Sequence, residues 1–148
     1  MKKIWITGGS GLLGKLLAKE LKRKKISYSL FTGNIINKKH INNWLSKNNK
    51  IEYIFHFAAY TLAEKSRINK KKAFNTNVIG TNNLLNIINL KKNEISLFFS
   101  STSHVYKYSK KPIKENSSLK PSSYYGKTKL LAEQKIKKNK KKYLKYCI

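Results

Sequence analysis

Tyr125 and Lys129 stand four residues apart in the run YYGKTK, Tyr124 to Lys129. On a helix that spacing sends both side chains out of one face. An ammonium beside a phenol favours the phenolate and draws a group with an ordinary pKa of about 10 toward neutral pH. Tyr125 then reads as a general acid or base, with Lys129 as its electrostatic partner. The same spacing also suits two solvated residues on a basic helix, so the pair needs an element that brings a reactive molecule to it.

The stretch Lys2 to Gly14, KKIWITGGSGLLG, supplies that element. Ile4, Trp5 and Ile6 read as a buried strand. Gly9, Gly11 and Gly14 fit G-x-G-x-x-G, and Gly8, Gly11 and Gly14 fit G-x-x-G-x-x-G. Leu12, Leu13, Leu16, Leu17 and Leu21 follow at helical spacing. A tight strand-to-helix turn demands backbone angles that a side chain resists, and the free N–H groups of the helix start donate to a pyrophosphate. The last glycine lets the helix pack against the strand. A strand before and a helix after are the context that a dinucleotide-binding turn requires. Gly8, Gly11, Leu12 and Leu13 are therefore expected to line a cofactor.

The remaining elements follow in alternation. A first helix is expected over Gly11 to Lys24 and a second strand over Ile26 to Phe31. A dinucleotide fold normally ends that strand in an acid for the ribose hydroxyls. Here Phe31, Thr32, Gly33 and Asn34 follow instead, with lysines nearby, which favours NADP over NAD. Asn37 is placed to cap a helix from Lys38 to Lys47 with Ile41, Trp44 and Leu45 inward. Ile51 to Phe57 reads as a third strand, and the small Ala58 and Ala59 after it leave room for a ligand over the sheet edge. His56, inside an apolar strand, reads as a core residue rather than a catalyst.

One long helix is expected from Lys71 to Leu90, with Phe74, Val78, Leu84, Leu85 and Ile88 on its apolar face. Ile95 to Phe99 reads as a fourth strand, ending in Ser100, Ser101, Thr102, Ser103 and His104. Lys107 to Ser123 is polar, holds both prolines and reads as a loop. Ser122 to Lys141 reads as the last helix and Tyr143 to Ile148 as a fifth strand. The expected fold is a Rossmann-type α/β doubly wound parallel sheet, strand order 3-2-1-4-5, with helices on both faces. Its ligand belongs at the carboxyl ends of the strands, beside the glycine turn.

Composition bounds the partners. The 148 residues include 33 Lys and Arg against 6 acids, with no Asp, for a formal net charge of +27. The lysines are spread over Lys22 to Lys25, Lys70 to Lys72 and Lys137 to Lys142, and accompany heavy use of Asn, Ile and Tyr, as AT-rich coding produces. No specific nucleic-acid partner is expected, only salt-sensitive attraction to polyanions. Cys147 is the single cysteine, which excludes an internal disulfide and fits a reducing, cytoplasmic setting. No apolar run has the length of a membrane span. No metal-ligand set is expected.

Several stretches together resemble the extended short-chain dehydrogenase/reductase family: TGGSGLLG, FHFAAYT (Phe55 to Thr61), NVIGTNNLL (Asn77 to Leu85), SSTSHVY (Ser100 to Tyr106) and PSSYYGKTKLLAEQ (Pro121 to Gln134). The resemblance runs the length of the chain and looks most like the dTDP-4-dehydrorhamnose reductase group. It implies an NAD(P)-dependent oxidoreductase that reduces the ketone of a nucleotide-sugar. In that reading Tyr125 donates the proton, Lys129 holds the cofactor ribose and tunes Tyr125, and Thr102 hydrogen-bonds the reacting carbonyl oxygen. Asn77 orders the site beside the cofactor. An epimerase of the same family and a noncatalytic cofactor-binding subunit or truncated relic are the alternatives.

Departures from the family pattern carry information too. Ser103 and Asn34 stand where acids are usual, and Ser103 with His104 does not supply the acidic pair of the dehydratases, which disfavours dehydration. Family members continue for about as many residues again. Residues 1–148 are therefore expected to form the cofactor-binding domain, stopping at the fifth strand, with no separate substrate domain. A second copy or a complementing chain would then complete the substrate site.

Overall fold

Short runs of aromatic and β-branched residues favour strands, and the computed structural model has five of them. It describes residues 4–47, 51–91, 93–139 and 144–148. The strands are β1 (Ile4–Thr7), β2 (Tyr28–Leu30), β3 (Tyr53–His56), β4 (Ile95–Phe99) and β5 (Leu144–Cys147), all parallel. Numbered along this chain, their order in the sheet is 2-1-3-4-5. The doubly wound pattern of the expected 3-2-1-4-5 is present, with its reversal beside β1. One strand rather than two lies beyond that reversal, because the unit after β2 crosses directly to β3. β2 starts later than the expected Ile26, since Lys25 turns with φ of 54° and the Ile26 N–H still bonds the Leu21 carbonyl at 2.9 Å.

Alternation along the strands sends Trp5, Ile54 and Leu97 to one face, where they join Trp44, Leu84, Ile88, Ala132 and Ile136 in the main core. The helices over this face are α2 (Lys38–Ser46), α5 (Gly80–Asn89) and α6 (Tyr124–Lys137). Asn37 caps α2 as expected, its side chain accepting from the Lys39 N–H at 2.9 Å. Ile41, Trp44 and Leu45 are buried, and the Trp44 ring meets Trp5 edge-on with centroids 4.5 Å apart. Right-handed crossovers put α1 (Leu12–Arg23) on the other face, where Gly14, Ala18 and Leu21 turn inward. On that face Phe55 and Phe98 stack at 4.7 Å and stay half-buried.

The single helix expected from Lys71 to Leu90 is divided. α3 (Ala63–Ile68) precedes it, α4 (Lys70–Phe74) begins it under an Asn69 cap, and a π turn over Asn75–Ile79 joins α4 to α5. In that turn the Gly80 N–H reaches back five residues to the Asn75 carbonyl. α3 escaped the sequence reading because only Ser66 of its six residues is buried, so no apolar period marks it.

β4 and the polar run after it fall where expected, with a 3₁₀ turn at Ser103–Val105. Ser123 caps α6 by accepting from the Gly126 N–H at 3.0 Å. The expected helix end at Lys141, the strand start at Tyr143, Lys2 of the glycine stretch, and Lys140 and Lys142 of the last lysine cluster lie outside the described residues.

Candidate active site

The glycine turn lies at the carboxyl end of β1. Gly8 adopts φ of 74°, and a Cβ there would lie 2.6 Å from the Ala58 nitrogen. A Cβ on Gly14 would drive into the Gly8 carbonyl, so α1 can approach the turn only with glycine at that place. Gly11 caps α1 without a side-chain hydrogen bond, and no acid stands in the first turn. The α1 start therefore keeps N–H donors and the positive end of the helix dipole open to an anion.

Two cavities meet at this turn. One, of about 580 Å³, runs from Gly8, Gly9 and Ser10 across the ends of β2 and β3 to Phe31, Thr32, Gly33, Asn34, Ala58, Ala59 and Thr76. The other, of about 380 Å³, runs from Gly8, Gly11, Leu12 and Leu13 past Ala59 and Thr61 to Ser100, Tyr125 and Lys129.

Lys129 is only 3% exposed. Burial brings its pKa down to about 8, opposed by the negative charge of Glu133. Its ammonium lies over the Phe99 ring, 3.9 Å from the centroid. Glu133, itself buried, accepts from the Ser101 hydroxyl and pairs with Lys137 at 3.5 Å. Burial holds the Tyr125 phenol above its ordinary pKa, with a hydrogen bond to Thr102 pulling the other way. That corrects the expectation that Lys129 draws the phenol down. Desolvation is the larger influence at the neutral-to-charged step of Tyr125, and the opposing one comes from Thr102.

A buried polar chain runs behind the cavities. The Thr7 Oγ1 lies 2.6 Å from Nδ1 of His56, whose Nε2 lies 2.9 Å from the Thr81 Oγ1. His56 is 1% exposed, and burial with the nearby Lys129 charge lowers its pKa to about 3, so the imidazole is neutral. It is the core residue the sequence suggested. Asn77, also 1% exposed, accepts the Tyr60 N–H at 2.7 Å and donates to the Tyr60 carbonyl at 3.2 Å and to Thr128 at 2.9 Å.

Of the expected residues, Gly8, Gly11, Leu12, Leu13, Ala59, Tyr125 and Lys129 line the second cavity, and Gly8, Asn34, Ala58 and Ala59 line the first. Asn77 and Thr102 line neither. Asn77 lies behind the cavities, and Thr102 reaches the second through Tyr125. The Asn34 side chain is occupied locally, accepting the Ile36 N–H at 3.0 Å. Ser10, Thr61 and Thr76 were missed; Ser10 lies within the glycine motif itself and was legible there. Among the described residues no cluster of His, Cys, Asp or Glu is placed to hold a metal, and no helix is long and apolar enough to cross a membrane.

A parallel α/β sheet whose first turn shares a cavity with the half-buried Tyr125 and the buried Lys129 defines the class as a short-chain dehydrogenase/reductase-type Rossmann fold. The family model described as the RmlD substrate binding domain matches residues 1–145, and the chain belongs to that family, within the extended short-chain dehydrogenases/reductases. It is similar to a UDP-glucose 4-epimerase of Lactobacillus helveticus, 30% identical over 89% of this chain and 45% of the relative. Its fold matches the UDP-glucose 4-epimerase of Brucella ovis in complex with NAD, with TM-score 0.88 and 25% identity over 99% of this chain and 50% of the other. It also matches the dTDP-4-dehydrorhamnose reductase of Bacillus anthracis in complex with NADP, with TM-score 0.83 and 26% identity over 99% and 52%. The chain thus spans about half the length of the relatives it matches.

Proposed function

We propose that this chain is the cofactor-binding domain of an NAD(P)-dependent oxidoreductase that reduces the ketone of a nucleotide-sugar. One observation carries the reading: the glycine turn and the Tyr125–Lys129 pair line a single cavity at the carboxyl end of the sheet. The residues present suit a dinucleotide. The cradle formed by Gly8 and Gly14 leaves no room for side chains, and the α1 start offers its N–H groups to a pyrophosphate. The first cavity suits the adenosine half, beside Thr32, Gly33, Asn34, Ala58 and Thr76, and the second the nicotinamide half, beside Leu12, Leu13, Tyr125 and Lys129.

A bound nicotinamide supplies or accepts hydride at the sugar carbon. The chain's own groups handle the proton and the geometry. Tyr125 holds a proton at its phenol oxygen, and its raised pKa keeps it protonated and ready to donate to a ketone oxygen. Thr102, bonded to that phenol, orients it toward the ketone oxygen. Lys129 supplies a buried cation to the ribose hydroxyls and to the developing phenolate. Asn77 orders the loop at Tyr60 and the start of α6.

NADP is the preferred cofactor, because no acid ends β2 to repel a 2′-phosphate. The identity to UDP-glucose 4-epimerases favours an epimerase as the second reading.

The test is titration of the chain with NADPH and with NADH, followed by nicotinamide fluorescence. Saturable binding, tighter for NADPH, is expected, with Tyr125→Phe retaining affinity within about threefold and Lys129→Ala losing at least tenfold. Absence of binding by either cofactor at millimolar concentration overturns the reading.

A further inference from the structure

The hydrogen bonds around His56 can be assigned a direction from their ends. The Thr81 Oγ1 lies 2.7 Å from the Asn77 carbonyl, which only accepts, so the Thr81 hydroxyl donates there. Its contact with Nε2 of His56 must then be one in which the ring donates, and the proton of this neutral imidazole is on Nε2. Nδ1 is left as an acceptor, so the Thr7 hydroxyl donates to it, while the same Thr7 oxygen accepts the Ala58 N–H at 3.2 Å. Every proton in the chain is placed: Ala58 N–H to Thr7, Thr7 to His56, His56 to Thr81, Thr81 to the Asn77 carbonyl.

This run of hydrogen bonds ends inside the π turn, where the backbone departs from α-helical pairing and the Asn77 carbonyl accepts the Thr81 hydroxyl. From the same residue the Asn77 side chain grips both backbone groups of Tyr60 and the Thr128 hydroxyl, and Thr128 donates to the Tyr125 carbonyl at 2.8 Å. Two hydrogen-bonded runs, joined through the covalent frame of Asn77, therefore connect Ala58 at the cavity wall to the backbone of Tyr125. A Thr hydroxyl returned to the carbonyl four residues back is a known means of bending a helix, and here it acts where the helix widens.

We propose that His56 and Thr81 are positioning residues: they hold the Asn77 carbonyl in the π turn, and so aim the Asn77 amide that ties the Tyr60 loop to the first turn of α6. The consequence for Tyr125 rests on the function proposed above. The geometry of the relay does not, and the two fail separately.

The relay is read first in the unaltered chain. A long-range ¹H–¹⁵N spectrum of the histidine rings is expected to show His56 neutral with its proton on Nε2; a proton on Nδ1 reverses every bond and overturns the proposal. Exchange of the Asn77 side-chain amide protons with solvent is read next, in urea-free buffer at a temperature where each variant is fully folded. Thr81→Val, which keeps the shape and removes the hydroxyl, is expected to speed that exchange at least fivefold, and Thr81→Ser to restore it to within twofold. His56→Asn keeps a partner for Thr7 but withdraws the Nε2 donor, and is expected to match Thr81→Val.

In the same samples NADPH affinity is expected to fall about fivefold in Thr81→Val and to return in Thr81→Ser. Unchanged Asn77 exchange in a folded variant overturns the proposal, since a residue that only fills space would lower stability without loosening that amide. Altered exchange with no NADPH binding even by the unaltered chain leaves the relay standing and overturns the cofactor reading instead.

Discussion

The ammonium of Lys129 lies 3.9 Å from the centre of the Phe99 ring, buried in the wall of the cavity that Tyr125 also lines. A cation held this way is attracted to the ring face, yet it has left water, and its pKa is about 8 as a result. Such a residue is retained at a cost to the fold.

Lys129→Met is therefore expected to stabilise the chain at pH 7 by about 1–2 kcal/mol, since an apolar side chain of similar length fits the same place without a charge to desolvate. The folded pKa of this lysine is below the unfolded value. Its favourable contribution is present above pH 10.5 and is lost as pH falls through about 8. The advantage of the Met variant should shrink as pH rises from 8 to 10.5. Urea melts of both proteins at pH 7 and pH 10 check the sign; a Met variant that is less stable at pH 7 contradicts it.

His56 gives the acid limb of the stability curve. Its pKa falls from 6.5 in the unfolded chain to about 3 in the folded one, so the unfolded state binds the extra proton between those values. The stability it contributes is complete above pH 6.5 and is lost progressively down to about 3, with an upper bound of about 5 kcal/mol. Against a His56→Asn reference, whose other histidines and carboxylates titrate alike, the difference in urea stability is expected to narrow steadily below pH 6.5. A constant difference across that range would show that His56 charges in the folded state without penalty.

The glycine turn and the Tyr125–Lys129 spacing were legible because each is a local code: glycine where a Cβ clashes with Ala58 or Gly8, and two side chains on one helix face. The cap at Asn37 and the burial of Ile41, Trp44 and Leu45 follow from equally local rules. What escaped depends on partners far apart in the chain. The π turn at Asn75–Ile79 places Asn77 against Tyr60 and Thr128, which are far from it in the chain, and nothing in the local sequence of that helix announces it. α3 buries too little to show a period. The direction of the Tyr125 pKa escaped for a similar reason: spacing places Lys129 on the right face, but only the packed structure shows how far burial removes the phenol from water.

Gly14 and Gly11 separate packing from capping. A Cβ on Gly14 would collide with the Gly8 carbonyl, which is backbone and cannot swing aside, whereas one on Gly11 would lie 3.3 Å from the same oxygen at ordinary extended angles. Gly14→Ala is expected to cost about 2–3 kcal/mol of stability by forcing α1 off the sheet. Gly11→Ala is expected to cost about 1 kcal/mol or less, the loss of a tolerable N-cap. Chemical denaturation ranks the two, and equal losses would mean that the close approach of α1 to the turn is not what Gly14 provides.

Thr102 tests what sets the proton on Tyr125. Burial raises the phenol pKa, and the Thr102 hydrogen bond is the opposing influence. Removing the hydroxyl in Thr102→Val leaves desolvation unopposed, so the Tyr125 pKa is expected to rise further. Tyr125 is one of nine tyrosines, so the titration must be read at a single ring. The ¹³Cζ resonance lost in Tyr125→Phe identifies it in a tyrosine-labelled sample. An upward shift in its midpoint in Thr102→Val, with the other eight unchanged, is the expected result. A midpoint that falls or stays fixed would mean that Thr102 bonds the neutral phenol as well as it bonds the phenolate. The burden of stabilising the anion would then pass to Lys129 alone.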